Sequence, residues 1–443
     1  MVRAGCYPRG SVAQLLIEGG TRLVGRVPIS GSKNAVLPIL AACLLTDEEC
    51  RLKNVPRLED VSTMKSLLEG MGVQIRWLDP QQLQVNAERL ARSEVLATMA
   101  NRMRASFLLI GPLLARRGEA RVPKPGGDDI GMRRVEQHLH GLRLMGAHVE
   151  LVDGEYVARA DRLHGATIHL DMPTVTGTEN LMMAAATADG ITTIHNAARE
   201  PHVVDLAMFL GKMGAQINGI GTDVLQIEGV TELSGATHRV IPDNIEAGTY
   251  AFAIAATGGE AVLEDVQTAD LRAVMLKLRE AGVEVEDQTH SLWVQGNGRL
   301  QPVDVTTWPH PGFPTDLQAP FVSLMTQAQG KCVISEAVFE NRFQHVPELR
   351  KLGADIYVEG RSAMVSGPSK LHGAAVRVPD IRSGAALVVA ALCATGTTRF
   401  DNIYHLDRGY QDIVAKLERV GAQISRVGDA GDVHPDLSRV VGD

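Results

Sequence analysis

The stretch of this 443-residue chain in which charge and flexibility coincide runs from Arg102 to Arg143. Nine basic residues (Arg102, Arg104, Arg116, Arg117, Arg121, Lys124, Arg133, Arg134, Arg143) stand there against four acids (Glu119, Asp128, Asp129, Glu136), in a chain whose net charge is −8. Such an excess fits either a solvated basic face or a site for an anion. Inside it lies Pro123–Arg133, PKPGGDDIGMR, with two prolines, three glycines and two acids among the basic residues. That composition suits a mobile loop closing over an anionic ligand. An acid so placed, Asp128 for example, is either a proton donor or the counter-charge of the guanidinium groups.

Other candidates are single residues in short polar runs. Lys33-Asn34 follows Gly31-Ser32 and opens an apolar segment. An anion could meet free backbone N–H groups there, or the segment could be an ordinary helix start. Asp316 stands in HPGFPTDLQ, where it or Thr315 could instead cap a helix. Arg342 in ENRFQH and Arg408 in HLDRGY are lone arginines of a kind that is usually structural. Gly219-Ile220-Gly221 has no helix after it and is no dinucleotide loop, and the chain contains neither a phosphate-binding P-loop nor an H-E-x-x-H metal motif.

The elements that must position these side chains repeat. An apolar residue, Gly, a small residue, a polar residue and a β-branched residue recur at Met71–Ile75, Met145–Val149, Met213–Ile217, Ala281–Val285, Leu352–Ile356 and Val420–Ile424. Their glycines lie 74, 68, 68, 71 and 68 residues apart. Before most copies runs an amphipathic stripe, as in Val203/Leu206/Ala207/Leu210, Leu271/Val274/Met275/Leu278 and Tyr410/Ile413/Val414/Leu417. The glycine then suits the left-handed end of a helix, and a strand should follow. Half a repeat earlier lie alanine-rich segments that read as helices buried on nearly all sides: 34–45, 105–115, 180–188, 247–256 and 384–394. Six units of two helices and several strands predict an α/β protein of two domains, each a closed threefold arrangement around its buried helices, with a cleft between them for the ligand. The strand-like segment Gln14–Val27 suggests that the chain begins in the C-terminal domain. This predicts one domain of 1–32 plus 242–443 and another of 33–241, with crossings near Ser30–Lys33 and Ile241–Asp243.

Composition removes several functions. The acidic balance and an aromatic content of 4% argue against a nucleic-acid binder. The apolar run from Ala35 to Leu45 is too short to span a bilayer, and no signal-peptide core follows Arg3 and Arg9. Five cysteines without C-x-x-C spacing fit reduced thiols in the cytoplasm, and the tail 428–443 is expected to be disordered.

The segments SGSKNAVLPIL (30–40), MRASFLLIGPLLAR (103–116), PGGDDIGMR (125–133), TVTGTENLMMAA (174–185), NAAREP (196–201), FPTDLQA (313–319), VFENRFQHVPEL (338–349) and YHLDRGY (404–410) together resemble the UDP-N-acetylglucosamine enolpyruvyl transferases, in order and spacing, over residues 14 to 426. The resemblance implies two inside-out α/β barrels of threefold pseudo-symmetry. It implies transfer of the enolpyruvyl group of phosphoenolpyruvate to the 3-hydroxyl of UDP-N-acetylglucosamine, with release of phosphate, as the first committed step of peptidoglycan synthesis, without cofactor or metal. By position, Lys33 and Arg408 match the phosphoenolpyruvate pair, joined by Arg133, Arg382 and the neighbouring Asn34. Asn34, Asp316 and Val338 match the amino-sugar contacts, and Asp316 would be the base that takes the 3-hydroxyl proton. Arg104 and Arg133, Arg134, Val135, Glu136 and Gln137 match the nucleotide contacts, and Thr174, Val175 and Thr176 those near the diphosphate.

The chemistry accounts for these residue types. Two anionic groups on the donor call for converging Lys and Arg, and addition across its double bond needs an acid at one end and a base at the other. Two departures stand out. Asp128 occupies a position where most members carry cysteine and some carry aspartate. An acid can serve there as proton donor, whereas the epoxide antibiotic fosfomycin would find no thiol. Arg133-Arg134-Val135-Glu136-Gln137-His138 replaces the Arg-Pro-Val-Asp-Leu-His of many members, so a related transferase with another nucleotide or sugar acceptor is an alternative. A catalytically silent UDP-sugar-binding paralogue is a third reading, against which Lys33, Asp316 and Arg408 all speak.

Overall fold

A computed structural model of the chain describes residues 13–428. Cys6 and the tail from residue 429, for which disorder was expected, lie outside the described residues.

Each of the six glycines of the repeat ends a helix in the left-handed region, with φ of +101° at Gly72, +94° at Gly146, +107° at Gly214, +82° at Gly282, +95° at Gly353 and +93° at Gly421. A Cβ is costly at such an angle, which is why the repeat keeps glycine there. The stripes before the glycines bury as their spacing requires: Val203, Leu206, Ala207 and Leu210 are all inside, as are Leu271, Val274, Met275 and Leu278. In five units the chain leaves the glycine into a two-stranded hairpin, for example Gln74–Asp79 with Gln82–Asn86 and Glu284–Gln288 with Ser291–Gln295. The hairpin joins an antiparallel strand from earlier in the same unit, and in five of the six sheets a parallel strand closes the far edge.

The sheets close across the chain rather than along it. Gln14–Glu18 pairs antiparallel with both Thr397–Asp401 and Gln423–Val427, completing the sixth unit. Val24–Pro28 runs parallel to Glu260–Glu264 and completes the fourth. Thr237–Arg239 runs parallel to Glu49–Lys53 and returns the third unit to the first. Gln14–Val27, which reads as one extended segment, is thus two strands in two sheets, separated by Gly19–Leu23.

Two hydrophobic cores result. One takes its residues from Ala35 to Val240, the other from Leu15 to Ile29 and from Ile245 to Ile424. At each centre stand helices poor in polar side chains. Lys33–Ala42, Ile110–Arg117 and Val175–Ala185 serve the first core, and Asn244–Ala256, Gln318–Met325 and Ile381–Cys393 the second. Every residue of Ile381–Cys393 except Cys393 is buried, so alanine's small volume lets helices pack with no solvent face. Gln318–Met325 is the helix expected after Thr315-Asp316, but it was not read as a buried central one because its apolar run is short and broken by Pro320. The helix expected from residue 180 begins at Val175, where Thr174 caps it. These are two inside-out α/β barrels of three units each.

The chain passes between the cores along two segments that pair with each other. Ser32 donates its N–H to Ile241 O at 2.7 Å, and Asp243 donates to Ser30 O at 2.8 Å. Glu246 accepts from Ser30 N at 2.7 Å and from Lys416 Nζ at 2.6 Å, and Lys416 also donates to Ser30 Oγ. Gly31 is needed here: a Cβ would sit 1.7 Å from Asn54 O. No helix among the described residues is long and apolar enough to cross a membrane.

Candidate active site

The inner helix Lys33–Ala42 starts at the crossing segment, so Lys33 faces the space between the two cores. The first turn of Glu59–Gly70 brings Asp60 against it, with Lys33 Nζ 3.0 Å from Asp60 Oδ2. From the other core, the short helix Tyr404–Asp407 ends at Arg408, whose Nε lies 2.8 Å from Asp60 Oδ1. Its NH1 reaches 2.7 Å to Asp128 Oδ1, on the glycine-rich loop of the first half. Residues 33, 60, 128 and 408 therefore form one buried chain of alternating charge.

A second node lies beside it. The carboxylate of Asp316 accepts from Arg342 on one oxygen and from Arg382 NH2 on the other, the latter at 2.7 Å. Arg382 NH1 donates to Tyr410 Oη at 3.3 Å, and Tyr410 Oη and Thr249 Oγ1 lie 3.1 Å apart. Arg133 joins the nodes electrically, since Arg342, Asp128, Asp316 and Arg408 all act on it. Its guanidinium lies 5.8 Å from the Phe339 ring, and that of Arg342 5.4 Å. The loop rests on the same segment: Asn341 donates its N–H to Ile130 O at 3.1 Å and its side-chain amide to Asp129 O at 3.2 Å.

Burial and charge oppose each other throughout. Burial would raise the Asp316 carboxyl, but Arg382 and Arg342 hold it well below the carboxylate range. Asp60 and Asp128 are likewise pushed up by burial and brought below their ordinary value by Lys33 and Arg408. Burial lowers the Lys33 ammonium, and Asp60 opposes that shift. Burial pulls Arg408 down, yet Asp60 and Asp128 carry it above its ordinary value. Burial, with Arg342 next, brings Arg133 down to about 10. Five cations (Lys33, Arg133, Arg342, Arg382, Arg408) and three carboxylates (Asp60, Asp128, Asp316) meet here, a surplus of two positive charges that suits an anionic ligand.

Of the residues for which the resemblance implies nucleotide or diphosphate contacts, Arg104 adjoins this cluster through Arg133. Arg104 donates to the carbonyl oxygens of Arg133 and Arg134, and burial followed by Arg133 brings it to about 10. Thr174 caps the helix that begins at Val175, and Thr176 Oγ1 lies 3.2 Å from Nε2 of buried His138. Burial, then Arg104, takes His138 down to about 3. Gln137 Nε2 donates to Met172 O at 3.4 Å, while its Oε1 is buried without a partner. Val135 is buried, and Arg134 and Glu136 are exposed. Asn34 is half-buried beside Lys33. Half-buried Val338 donates its N–H to Glu336 Oε1 at 2.8 Å, and Thr315 Oγ1 donates to the other oxygen of Glu336 at 2.9 Å.

Three expectations change. The N–H groups opening Lys33–Ala42 are not free for an anion: Asp243 Oδ2 accepts from Lys33 N at 3.1 Å and Ser32 Oγ from Ala35 N at 3.3 Å. Asp316 caps no helix, since both its oxygens are held by arginines. Arg342 is no isolated structural arginine but one of those two partners. The residue missed entirely is Asp60. Beside Glu59 it reads as an ordinary helix-start acid, and only the approach of Lys33 and Arg408 gives it another part.

Residues 17–417 match the EPSP synthase (3-phosphoshikimate 1-carboxyvinyltransferase) family, and the chain belongs to that family. Its relatives narrow the position. It is 49% identical to UDP-N-acetylglucosamine 1-carboxyvinyltransferase 2 of Carboxydothermus hydrogenoformans, over 94% of this chain and 100% of that protein. It is 50% identical to UDP-N-acetylglucosamine 1-carboxyvinyltransferase of Granulibacter bethesdensis, over 94% of this chain and 99% of that protein. Among solved structures, the enolpyruvyl transferase NikO of Streptomyces tendae superposes with a TM-score of 0.86 at 27% identity, covering 95% of this chain and all of that one. EPSP synthase of Acinetobacter baumannii shares the fold, with a TM-score of 0.74 at 19% identity over 94% of this chain and all of that one.

Proposed function

We propose that this chain transfers the enolpyruvyl group of phosphoenolpyruvate to the 3-hydroxyl of UDP-N-acetylglucosamine by addition and elimination, releasing phosphate, as the first committed step of peptidoglycan synthesis in the cytoplasm. The observation that carries the reading is the meeting of Lys33, Asp128, Arg133, Asp316, Arg382 and Arg408 between two threefold units. In a chain half-identical to UDP-N-acetylglucosamine 1-carboxyvinyltransferases, this supports the UDP-sugar as acceptor.

In this reading Lys33, Arg133, Arg382 and Arg408 take the phosphate and carboxylate of the donor, with Asn34 alongside. Asp128 gives its proton to C3, which makes C2 electrophilic. Asp316 takes the proton of the sugar hydroxyl as its oxygen adds to C2, and phosphate then leaves. Asn34, Asp316 and Val338 hold the amino-sugar, Thr174–Thr176 lie by the diphosphate, and Arg104 with residues 133–137 takes the nucleotide. The two cores support a division into 33–241 and 1–32 plus 242–443, with crossings at 30–33 and 241–243.

Phosphate release with UDP-N-acetylglucosamine, UMP and shikimate 3-phosphate as acceptors tests the reading. Release with the first alone is expected. No release with it, or faster release with another acceptor, overturns it.

A further inference from the structure

If Asp128 is the acid, as proposed above, it stands in the wrong protonation state. Its carboxylate is ion-paired with Arg408 at 2.7 Å and held below its ordinary value, and a paired carboxylate has no proton to give. The groups that act on it are Arg408, Lys33, His405 and Arg133. Of these only an imidazole ordinarily changes charge near neutral pH. His405 Nδ1 lies 3.7 Å from Asp128 Oδ1 and 3.5 Å from Arg408 NH1. Its side chain is 20% exposed, against 14% for Asp128 and 6% for Arg408, so it is the member of this group best placed to exchange protons with water. The Tyr404 ring lies 6.0 Å from it; burial brings the imidazole below its ordinary value and Arg408 acts the same way, while Asp128, Asp380 and Asp60 oppose that shift.

We propose that His405 is the proton supplier of Asp128. When the donor's phosphate takes Arg408, it displaces the carboxylate that now occupies that guanidinium. Asp128 then loses its counter-charge and becomes the more basic partner. The proton on Nδ1 of the imidazolium moves to Oδ1 of Asp128, leaving a neutral imidazole and a neutral carboxylic acid. The acid gives this proton to C3 in the addition and regains it from C3 in the elimination. It surrenders it through His405 when Arg408 is free again.

The test is His405→Gln in two backgrounds, measured at pH 6.5. In the enzyme with Asp128, kcat is expected to fall about tenfold, below the ~10²–10⁴-fold of a full acid or base because water remains a slower source. KM for phosphoenolpyruvate should stay within about threefold, and added imidazole should restore part of the rate. In the Asp128→Cys enzyme, whose thiol in the same surroundings holds a proton more firmly than a carboxylate does because its ordinary value lies higher, the loss from His405→Gln should shrink to within about threefold. Equal losses in both backgrounds, or a rise in KM without loss of kcat, would mean that His405 only holds Arg408, and would overturn the proposal. Asp128→Ala separates the two readings. If it is inactive while His405→Gln is unaffected, the supplier role alone falls; if it is fully active, Asp128 is not the acid. Should His405→Gln and His405→Asn both fail to fold, the unmodified enzyme still decides. Its kcat must fall as pH rises through the imidazole range, which burial shifts below the ordinary value, and a level kcat from about pH 5 to 8 overturns the proposal.

Discussion

Asp316 accepts from two guanidinium groups, Arg342 and Arg382, and is ionised at any working pH. A base so strongly paired acts only when the hydroxyl it deprotonates arrives already polarised by the same arginines. Asp316→Asn keeps the shape and can still accept one hydrogen bond, so it should bind UDP-N-acetylglucosamine while kcat falls by about 10²–10⁴; near-normal turnover would remove it as the base. Lys33→Ala and Arg408→Ala each delete a charge-assisted contact worth about 1.5–3 kcal/mol, so kcat/KM for phosphoenolpyruvate should fall at least ~10-fold in both. Steady-state kinetics with unchanged saturation in both variants would place the donor elsewhere. Asp128 offers fosfomycin a weak nucleophile, and Cys43, Cys50 and Cys332 are buried. Burial raises Cys393 to about 12, which leaves it a protonated, unreactive thiol. We expect no time-dependent inactivation of the enzyme, and sensitivity in Asp128→Cys, read by residual activity and adduct mass. At this scale the sequence was legible where chemistry demands a residue type, as at Lys33 and Asp316. It was silent at Asp60, whose role is made by partners 27 and 348 residues away.

Between its ends, where Lys124 donates its N–H to Gly154 O at 3.2 Å and Arg104 donates to Arg133 O, the loop Pro123–Arg133 is held by the Asp128–Arg408 pair and by hydrogen bonds of Asn341 and Gln344 to its backbone carbonyls. A segment so held opens locally at small cost. UDP-N-acetylglucosamine, by giving Arg133 an anion to bind, should slow tryptic cleavage after Arg133 and Arg134. Mass spectrometry of the fragments reads this directly, and cleavage indifferent to ligand would mean that the segment is no lid. The buried helices were legible as alanine-rich runs, because a helix with no polar face has few other readings. Their starts were less so. At Val175 the first turn, Val-Thr-Gly-Thr, looks like a loop until Thr174 is seen accepting from Gly177 N at 3.3 Å.

Across the molecule, two imidazoles are buried uncharged, one per core: His138 at about 3 and His345 at about 4, both pushed down chiefly by burial. In the unfolded chain an imidazole takes its proton near pH 6.5; in the fold these two do so only well below that. The unfolded state therefore binds more protons as pH falls, and stability that is complete above pH 6.5 is lost progressively beneath it. At pH 5 the loss is about 2 kcal/mol for each histidine. Scanning calorimetry at pH 7.5 and 5 should show lower melting at pH 5, and an unchanged melting temperature would mean that both rings are charged in the fold. The threefold plan itself was legible because one glycine per unit is required by geometry. The closing segment Gln14–Val27 was legible as a strand of the C-terminal half, but its division into two strands and their partners were not, since pairing between Leu15 and Phe400 leaves no local trace.

That closure has a consequence in time. Gln14 hydrogen-bonds Asp401, 387 residues further along, and a ribosome adding about 5–20 residues per second needs roughly 20 to 80 s to make that partner. The strands 14–18 and 24–28 are made well before their partners at 397–401 and 260–264, while 33–241 can complete its own core in the interval. During that wait they present two unpaired edges to every other nascent chain. Glu18 and Arg26, one in each strand, put on these edges charges of the kind that disfavours pairing with a wrong neighbour.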